Sequence, residues 1–194
     1  MPLRGFGYRA QSGSAQPLLG TTLTAAATPT PDPRQPTLGN LGAQQSTVIL
    51  SVADASWFQQ ADRVAVGTLA NFGINPTQAP DFGKIYGVPD TVGNTIKVQG
   101  LTRAHASGEF VLCCLRVANL NIICGPNTGG ANAGVMYIGP DSSVAATSTT
   151  LAYLLGNQGS YSLGSSASGD VWDTEALWTL GTAADHYLVG VITI

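Results

Sequence analysis

The part of this chain with the most side chains capable of chemistry is GLTRAHASGEFVLCCLRV, residues 100–117. It contains His105, one of two histidines, together with Cys113 and Cys114, two of three cysteines. Nucleophilic catalysis needs a serine or cysteine beside a base that a third group orients, and histidine is the ordinary base. His105 lies in a polar segment between two apolar runs. We therefore expect an exposed turn residue and predict no catalytic site.

The cysteine spacing does not match a metal site. Zinc sites use pairs such as C-x-x-C, whereas here two cysteines are adjacent and Cys124 follows ten residues after Cys114. Adjacent residues of a strand point to opposite faces, and three thiols cannot all pair within one chain. We predict reduced, buried thiols that pack as small apolar side chains, with no metal and no cofactor.

Two further segments resemble parts of binding sites. GPNTGGANAG, residues 125–134, is rich in glycine but lacks the Lys-Ser/Thr ending of a phosphate-binding loop. GDVWDTEALW, residues 169–178, places acids beside tryptophans, which suits glycoside cleavage, sugar binding or a buried interface. The acids in question are Asp170, Asp173 and Glu175. For Trp172 and Trp178 the sequence predicts either an interface or the core.

The composition indicates a folded chain with an unusually uncharged surface. Of 194 residues, 44 % are hydrophobic and 10 % are charged, with a net charge of −3. Sparse charge gives little protection against association, so we expect the surface to lie against partners. Basic residues form no cluster, which argues against nucleic acid as a partner. No apolar run is long enough to cross a membrane, and the start lacks a leader pattern, so synthesis in a cytoplasm is expected.

Residues 1–45 differ from the rest of the chain in composition and in hydrophobic periodicity. They contain six of the eleven prolines and show neither helical nor strand periodicity. We predict an extended Pro/Gly/Thr-rich arm, which is either a disordered tail or a segment that orders on a neighbouring molecule. The predicted partner-binding anchors of this arm are Leu3, Phe6, Tyr8, Leu18 and Leu19.

From residue 46 onward, short apolar runs are separated by turn signals every 8 to 12 residues, a spacing typical of all-β domains. β-branched residues alternate in DRVAVGTL and NTIKVQGL, which predicts one buried face and one wet face. PDTVGNTIKV predicts a hairpin with Gly93-Asn94 at its turn. We predict small antiparallel modules at 46–118 and 119–194, the second acidic, built as a barrel followed by a sandwich or as one elongated β-domain.

Two long segments carry a family resemblance. DRVAVGTL…GKIYGVPDTVGNTIKVQGLTRAHASGEFVL and YIGPDSSVAATSTTLAYLLGNQGSYSLG resemble small structural proteins of tailed bacteriophages, particularly head decoration or cement proteins. The resemblance implies a non-enzymatic all-β subunit, often a homotrimer, that clamps the major capsid protein on the capsid exterior after assembly in the host cytoplasm. The alternative is another virion part, such as a head fibre, tail-tip or head-completion protein with a C-terminal module that binds a receptor or glycan.

Overall fold

The structure is a computed structural model that describes residues 3–11, 13–31, 46–124, 134–145, 153–155, 159–163, 172–182 and 185–193. Strands make up 51 %, the antiparallel sheets curl into a half-barrel, and these ranges contain no helix of seven or more residues. The predicted all-β class is therefore confirmed. Short 3₁₀ turns occur at Ala55–Trp57, Leu69–Phe72 and Thr174–Ala176. In the described ranges no helix has the length and apolarity needed to span a bilayer.

The strands follow the predicted rhythm of short apolar runs and turns. In chain order the described strands are β1 (Leu3–Ala10), β2 (Gln16–Pro17), β3 (Gly20–Thr22), β4 (Thr30–Pro31), β5 (Ser46–Ser51), β6 (Arg63–Gly67), β7 (Asp81–Ile85), β8 (Thr95–Gln99), β9 (Phe110–Cys114), β10 (Arg116–Cys124), β11 (Met136–Gly139), β12 (Tyr153–Leu155), β13 (Ser160–Leu163), β14 (Trp172–Asp173), β15 (Trp178–Leu180) and β16 (His186–Thr193).

The chain divides into two compact units. The central unit is Leu19–Cys114, and the flanking unit combines Met1–Leu18 with Leu115–Ile194. The chain returns to the flanking unit within a few residues of the boundary predicted at 118. The predicted boundary at residue 45, in contrast, does not coincide with a division between units.

The central unit is built on a seven-stranded antiparallel sheet with the order β3-β9-β6-β7-β8-β5-β4. Its inner face holds the expected alternating residues, since Ile96 and Val98 of β8 are fully buried while Lys97 between them is exposed. The predicted hairpin is present: β7 and β8 pair antiparallel, and Asp90 bridges to Thr95. At its turn Asn94 takes a φ of 50°.

The flanking unit contains two sheets. One has the order β1-β16-β10-β13, with β14 also paired to β10, and the other has the order β12-β11-β15-β2. Trp178 and Tyr187 are among its fully buried side chains. The segment DTEALWTL contains the 3₁₀ turn Thr174–Ala176 followed by β15.

Within residues 3–11 and 13–31 the N-terminal segment is not a separate arm, and this corrects that part of the sequence prediction. Residues 32–45 of the predicted arm lie outside the described residues. The segment's strands β1, β2, β3 and β4 each lie at an edge of a sheet. Proline is tolerated in edge strands because the missing N–H faces away from the ladder, so Pro17 and Pro31 do not prevent pairing. The backbone of Gln11 donates to the carbonyl of Asp185 at 2.6 Å, and the buried Gln11 side chain donates to Thr179 Oγ1 at 3.4 Å.

Candidate functional site

The three predicted arm anchors whose side chains the structure describes are buried within this chain. Phe6, Leu18 and Leu19 are 5 %, 0 % and 0 % exposed, so these side chains are taken up by the core of this chain. Apolar side chains are buried in this way because β1 and β2 complete sheets of the flanking unit and β3 completes the sheet of the central unit. Leu3 and Tyr8 lie in β1, and their side chains are outside the described part.

The acidic segment near the tryptophans forms a surface contact. Asp173 lies 3.7 Å from the guanidinium of Arg116, and both side chains are well exposed, so the pair contributes little stability. Glu175 lies in the 3₁₀ turn that follows, and Asp170 is outside the described residues. Trp178 is fully buried in the flanking unit. Trp172 lies in β14, and its side chain is outside the described part.

His105 is buried, contrary to the expectation of an exposed turn residue. Its Nδ1 lies 2.8 Å from Glu109 Oε2 and its Nε2 lies 3.2 Å from Asp81 Oδ2. The histidine side chain is 1 % exposed. Both ring nitrogens of His105 therefore lie within hydrogen-bond distance of a carboxylate oxygen. Sequence reasoning missed this cluster because Asp81 lies 24 residues before His105.

The two carboxylates also organise the loop between β8 and β9. Asp81 accepts hydrogen bonds from the backbone of Thr102 and Arg103 and from the Thr102 hydroxyl. Glu109 accepts from the backbone of Ala106 at 3.1 Å. The loop is the predicted connection, and positive φ values at its two ends, 93° at Gly100 and 88° at Gly108, favour glycine.

The N-terminal segment covers this loop. The backbones of Ala27 and His105 exchange two hydrogen bonds, of 2.9 and 2.8 Å. Because its ring is enclosed and its Nε2 faces Asp81, His105 joins the loop to β7. In the described ranges, no group of three or more His, Cys, Asp or Glu side chains is arranged to hold a metal ion.

The cysteines occupy the faces predicted from their adjacency. Cys113 is buried, and its thiol donates to Asp62 Oδ2 at 3.3 Å. Cys114 is half-buried on the opposite face of β9, where it lies in register with Arg63 of β6. Cys124 is buried, and all three thiols are free of disulfide bonds.

We expect a maleimide reagent to label one thiol of the folded chain rapidly and all three after denaturation, because Cys114 is the most accessible of the three. The measurement is the mass of the labelled chain against time. Cys114→Ser should abolish the rapid phase, and Cys124→Ser should leave it unchanged. Rapid labelling of the Cys114→Ser variant would contradict the burial of the other two thiols.

A basic groove lies on the outer face of the central sheet. It has a volume of about 540 Å³ and is lined by Ala61, Arg63, Phe82, Gly83, Lys84, Gln99 and Gly100. Strand register creates it: Arg63 of β6 lies opposite Lys84 of β7, which lies opposite Gln99 of β8. The Arg63 guanidinium stacks 4.1 Å from the centre of the Phe82 ring.

Exposed apolar side chains lie on β5 and on the connection between β7 and β8 of the same sheet. We define the hairpin surface as Ile49, Tyr86, Val88 and Val92, which are 58 %, 37 %, 80 % and 95 % exposed. Ile49 is in register with Lys97, and the backbone of Tyr86 donates to the carbonyl of Lys97 at 3.1 Å. The outer face thus carries cations and large apolar side chains together, a combination that suits a protein partner better than bulk water.

Comparison of the chain with protein-family models, with curated proteins and with solved structures found no match.

Proposed function

We propose that this chain is a non-enzymatic virion subunit, a bacteriophage decoration (cement) protein that binds the outer surface of the capsid and stabilises it by bridging coat subunits. The observation that carries the proposal is the hairpin surface, where Val88 and Val92 stand 80 % and 95 % exposed. Burying such a side chain stabilises a complex by ~1.5–3 kcal/mol. The sequence resemblance supplies the identity of the partner, the major capsid protein.

The histidine cluster supports a binding role over an enzymatic one. His105, the histidine of the segment richest in potentially reactive side chains, is enclosed between Asp81 and Glu109 and holds a loop in place. The exposed outward-facing side chains of the same sheet, in contrast, include the apolar Ile49 and the cationic Arg63 and Lys84. The exposed side chains of this sheet are therefore suited to binding a partner through apolar and electrostatic contacts.

Assembly as a homotrimer is part of this proposal. Several weak contacts per subunit, multiplied by symmetry, give strong attachment to a lattice without any one strong site. A molar mass by light scattering of three times 19.9 kDa would support the trimer. Counting copies per virion by quantitative mass spectrometry tests the location: hundreds support a decoration protein, whereas tens or fewer favour a fibre or tail-tip part.

Replacing both valines of the hairpin surface should weaken capsid binding. We expect Val88→Ser with Val92→Ser to lower affinity for shells of the cognate coat protein by at least about 10-fold, because two apolar contacts are lost. Co-sedimentation with shells that lack the decoration protein measures this. Ile74→Ser, at a side chain that is 62 % exposed in another loop of the central unit, is the matched control. Unchanged binding by the double variant would refute the role of this surface.

A further inference from the structure

The basic groove brings together charges that are distant in sequence. Arg63 and Lys84 lie directly opposite each other on antiparallel strands, and Lys97 lies on the same outer face one strand further on. Like charges at directly opposed positions destabilise a sheet, so an anion between them removes an unfavourable interaction. The groove is therefore suited to negative charge by its register as well as by its composition.

The acidic residue within the strands that form the face points away from these charges. Residues of β5, β6, β7 and β8 are all described, and the one acid among them is Asp81. Asp81 is 7 % exposed and faces the inner side, where it contacts His105. The outer face of these four strands carries cations without carboxylates.

The groove is also arranged in advance for a planar anion. Stacking on Phe82 restricts the Arg63 guanidinium, which presents parallel N–H groups that match a carboxylate. A side chain that is already restricted loses less conformational entropy on binding. Gln99 lies opposite Lys84 and lines the groove, where its side-chain amide adds a neutral donor and a neutral acceptor beside Arg63 and Lys84.

We propose that the basic groove binds an acidic peptide segment of the partner protein, with a carboxylate held between Arg63 and Lys84. The identity of that partner rests on the proposed function, whereas the chemistry of the groove does not. A volume of about 540 Å³ accommodates several side chains, and the neighbouring hairpin surface offers apolar contact to the rest of a protein surface. A polypeptide supplies both kinds of group.

The same features argue against nucleic acid as the occupant. Single-stranded nucleic acid binds cationic sheets by stacking bases on open aromatic rings. Here the Arg63 guanidinium lies over the Phe82 ring and covers that face of it. The groove consequently offers charge and hydrogen bonds without a clear stacking platform.

Binding of a fluorescein-labelled hexaglutamate peptide to the full chain, measured by fluorescence anisotropy at low salt, tests the proposal. We expect Lys84→Gln to weaken binding about 10-fold, because a charge-assisted contact is lost. Lys97→Gln removes the same charge from the same face outside the groove and should change affinity less than about 2-fold. Arg63→Lys keeps the charge but loses the planar fork, and we expect a loss of roughly 3-fold to 10-fold.

Two outcomes would overturn the proposal. If Lys84→Gln and Lys97→Gln lower the affinity for hexaglutamate equally, the peptide is attracted by the general positive charge of the face and not by the groove. Tighter binding of a labelled twelve-residue oligothymidylate than of hexaglutamate would identify a nucleic-acid surface. Co-sedimentation with capsid shells separates the two proposals. If shells bind wild type and Lys84→Gln equally, the proposed role of the groove is refuted and the decoration role stands. If the peptide binds through Lys84 but the chain does not bind shells, the decoration role is refuted and the groove stands as an acidic-peptide site.

Discussion

A chain that lacks residues 1–31 is expected to aggregate instead of forming a soluble β-core. The missing residues supply edge strands to all three sheets, and they bury Phe6, Leu18, Leu19 and Leu23 at 5 % exposure or less. Four such side chains contribute on the order of 10 kcal/mol of burial, which is comparable with the whole stability of an ordinary domain. Their loss also uncovers strands whose free N–H and C=O groups pair readily with other chains.

Point substitutions test the same conclusion without removing backbone. Leu19→Ala should lower the free energy of unfolding by ~2–5 kcal/mol, because a fully buried leucine leaves a cavity. Leu69→Ala, at a leucine that is 42 % exposed, should change it by less than ~0.5 kcal/mol. Chemical denaturation followed by tryptophan fluorescence measures both. A truncated chain that stays monomeric and melts cooperatively would restore the view of this segment as an arm.

The second large effect is expected at Asp81. Its carboxylate accepts hydrogen bonds from two backbone N–H groups and from the Thr102 hydroxyl, and it lies 3.2 Å from His105 Nε2. The Asp81 side chain is 7 % exposed. Asp81→Ala removes the acceptor of all these groups, of which the His105 ring is fully buried. We expect it to lower the free energy of unfolding by ~2–3 kcal/mol, because a buried hydrogen-bonding group is left without its partner.

Asp90→Ala is the matched control for Asp81→Ala. Asp90 also accepts two backbone hydrogen bonds, from Val92 and Gly93, but it lies on the exposed hairpin turn. Water can replace the lost acceptor there, so we expect a cost of ~1 kcal/mol. Equal destabilisation by the two variants in urea unfolding would mean that the histidine cluster adds nothing beyond ordinary turn hydrogen bonds.

The local part of the fold could be predicted from the sequence, because alternation and turn residues are local signals. The alternation of Ile96 and Val98 correctly predicted the buried face of β8, and the turn residue Asn94 correctly predicted the hairpin. The position of β1 could not be predicted in this way, since Leu3 pairs with Ile192. Prolines in residues 1–45 added to the error, because edge strands accept a residue that central strands exclude.

Sites were harder to predict than strands, for the same reason. The polar surroundings of His105 in LTRAHASGEF gave no sign that Asp81 lies against it. One signal was available, since Glu109 follows His105 at the spacing that lets the two side chains meet around the loop. The basic groove depends on register alone: Arg63 and Lys84 are 21 residues apart in sequence, and only the pairing of β6 with β7 makes them neighbours.

The pairing of β1 with β16 has a consequence for synthesis. β1 is the first described strand to leave the ribosome, and its partner is the last. All seven strands of the central sheet lie within residues 19–114, so that sheet can close while translation is still in progress. The flanking unit has to wait for residues 186–193, and a non-local contact of this length slows folding. The order of translation thus lets the central sheet close before the flanking unit can be completed.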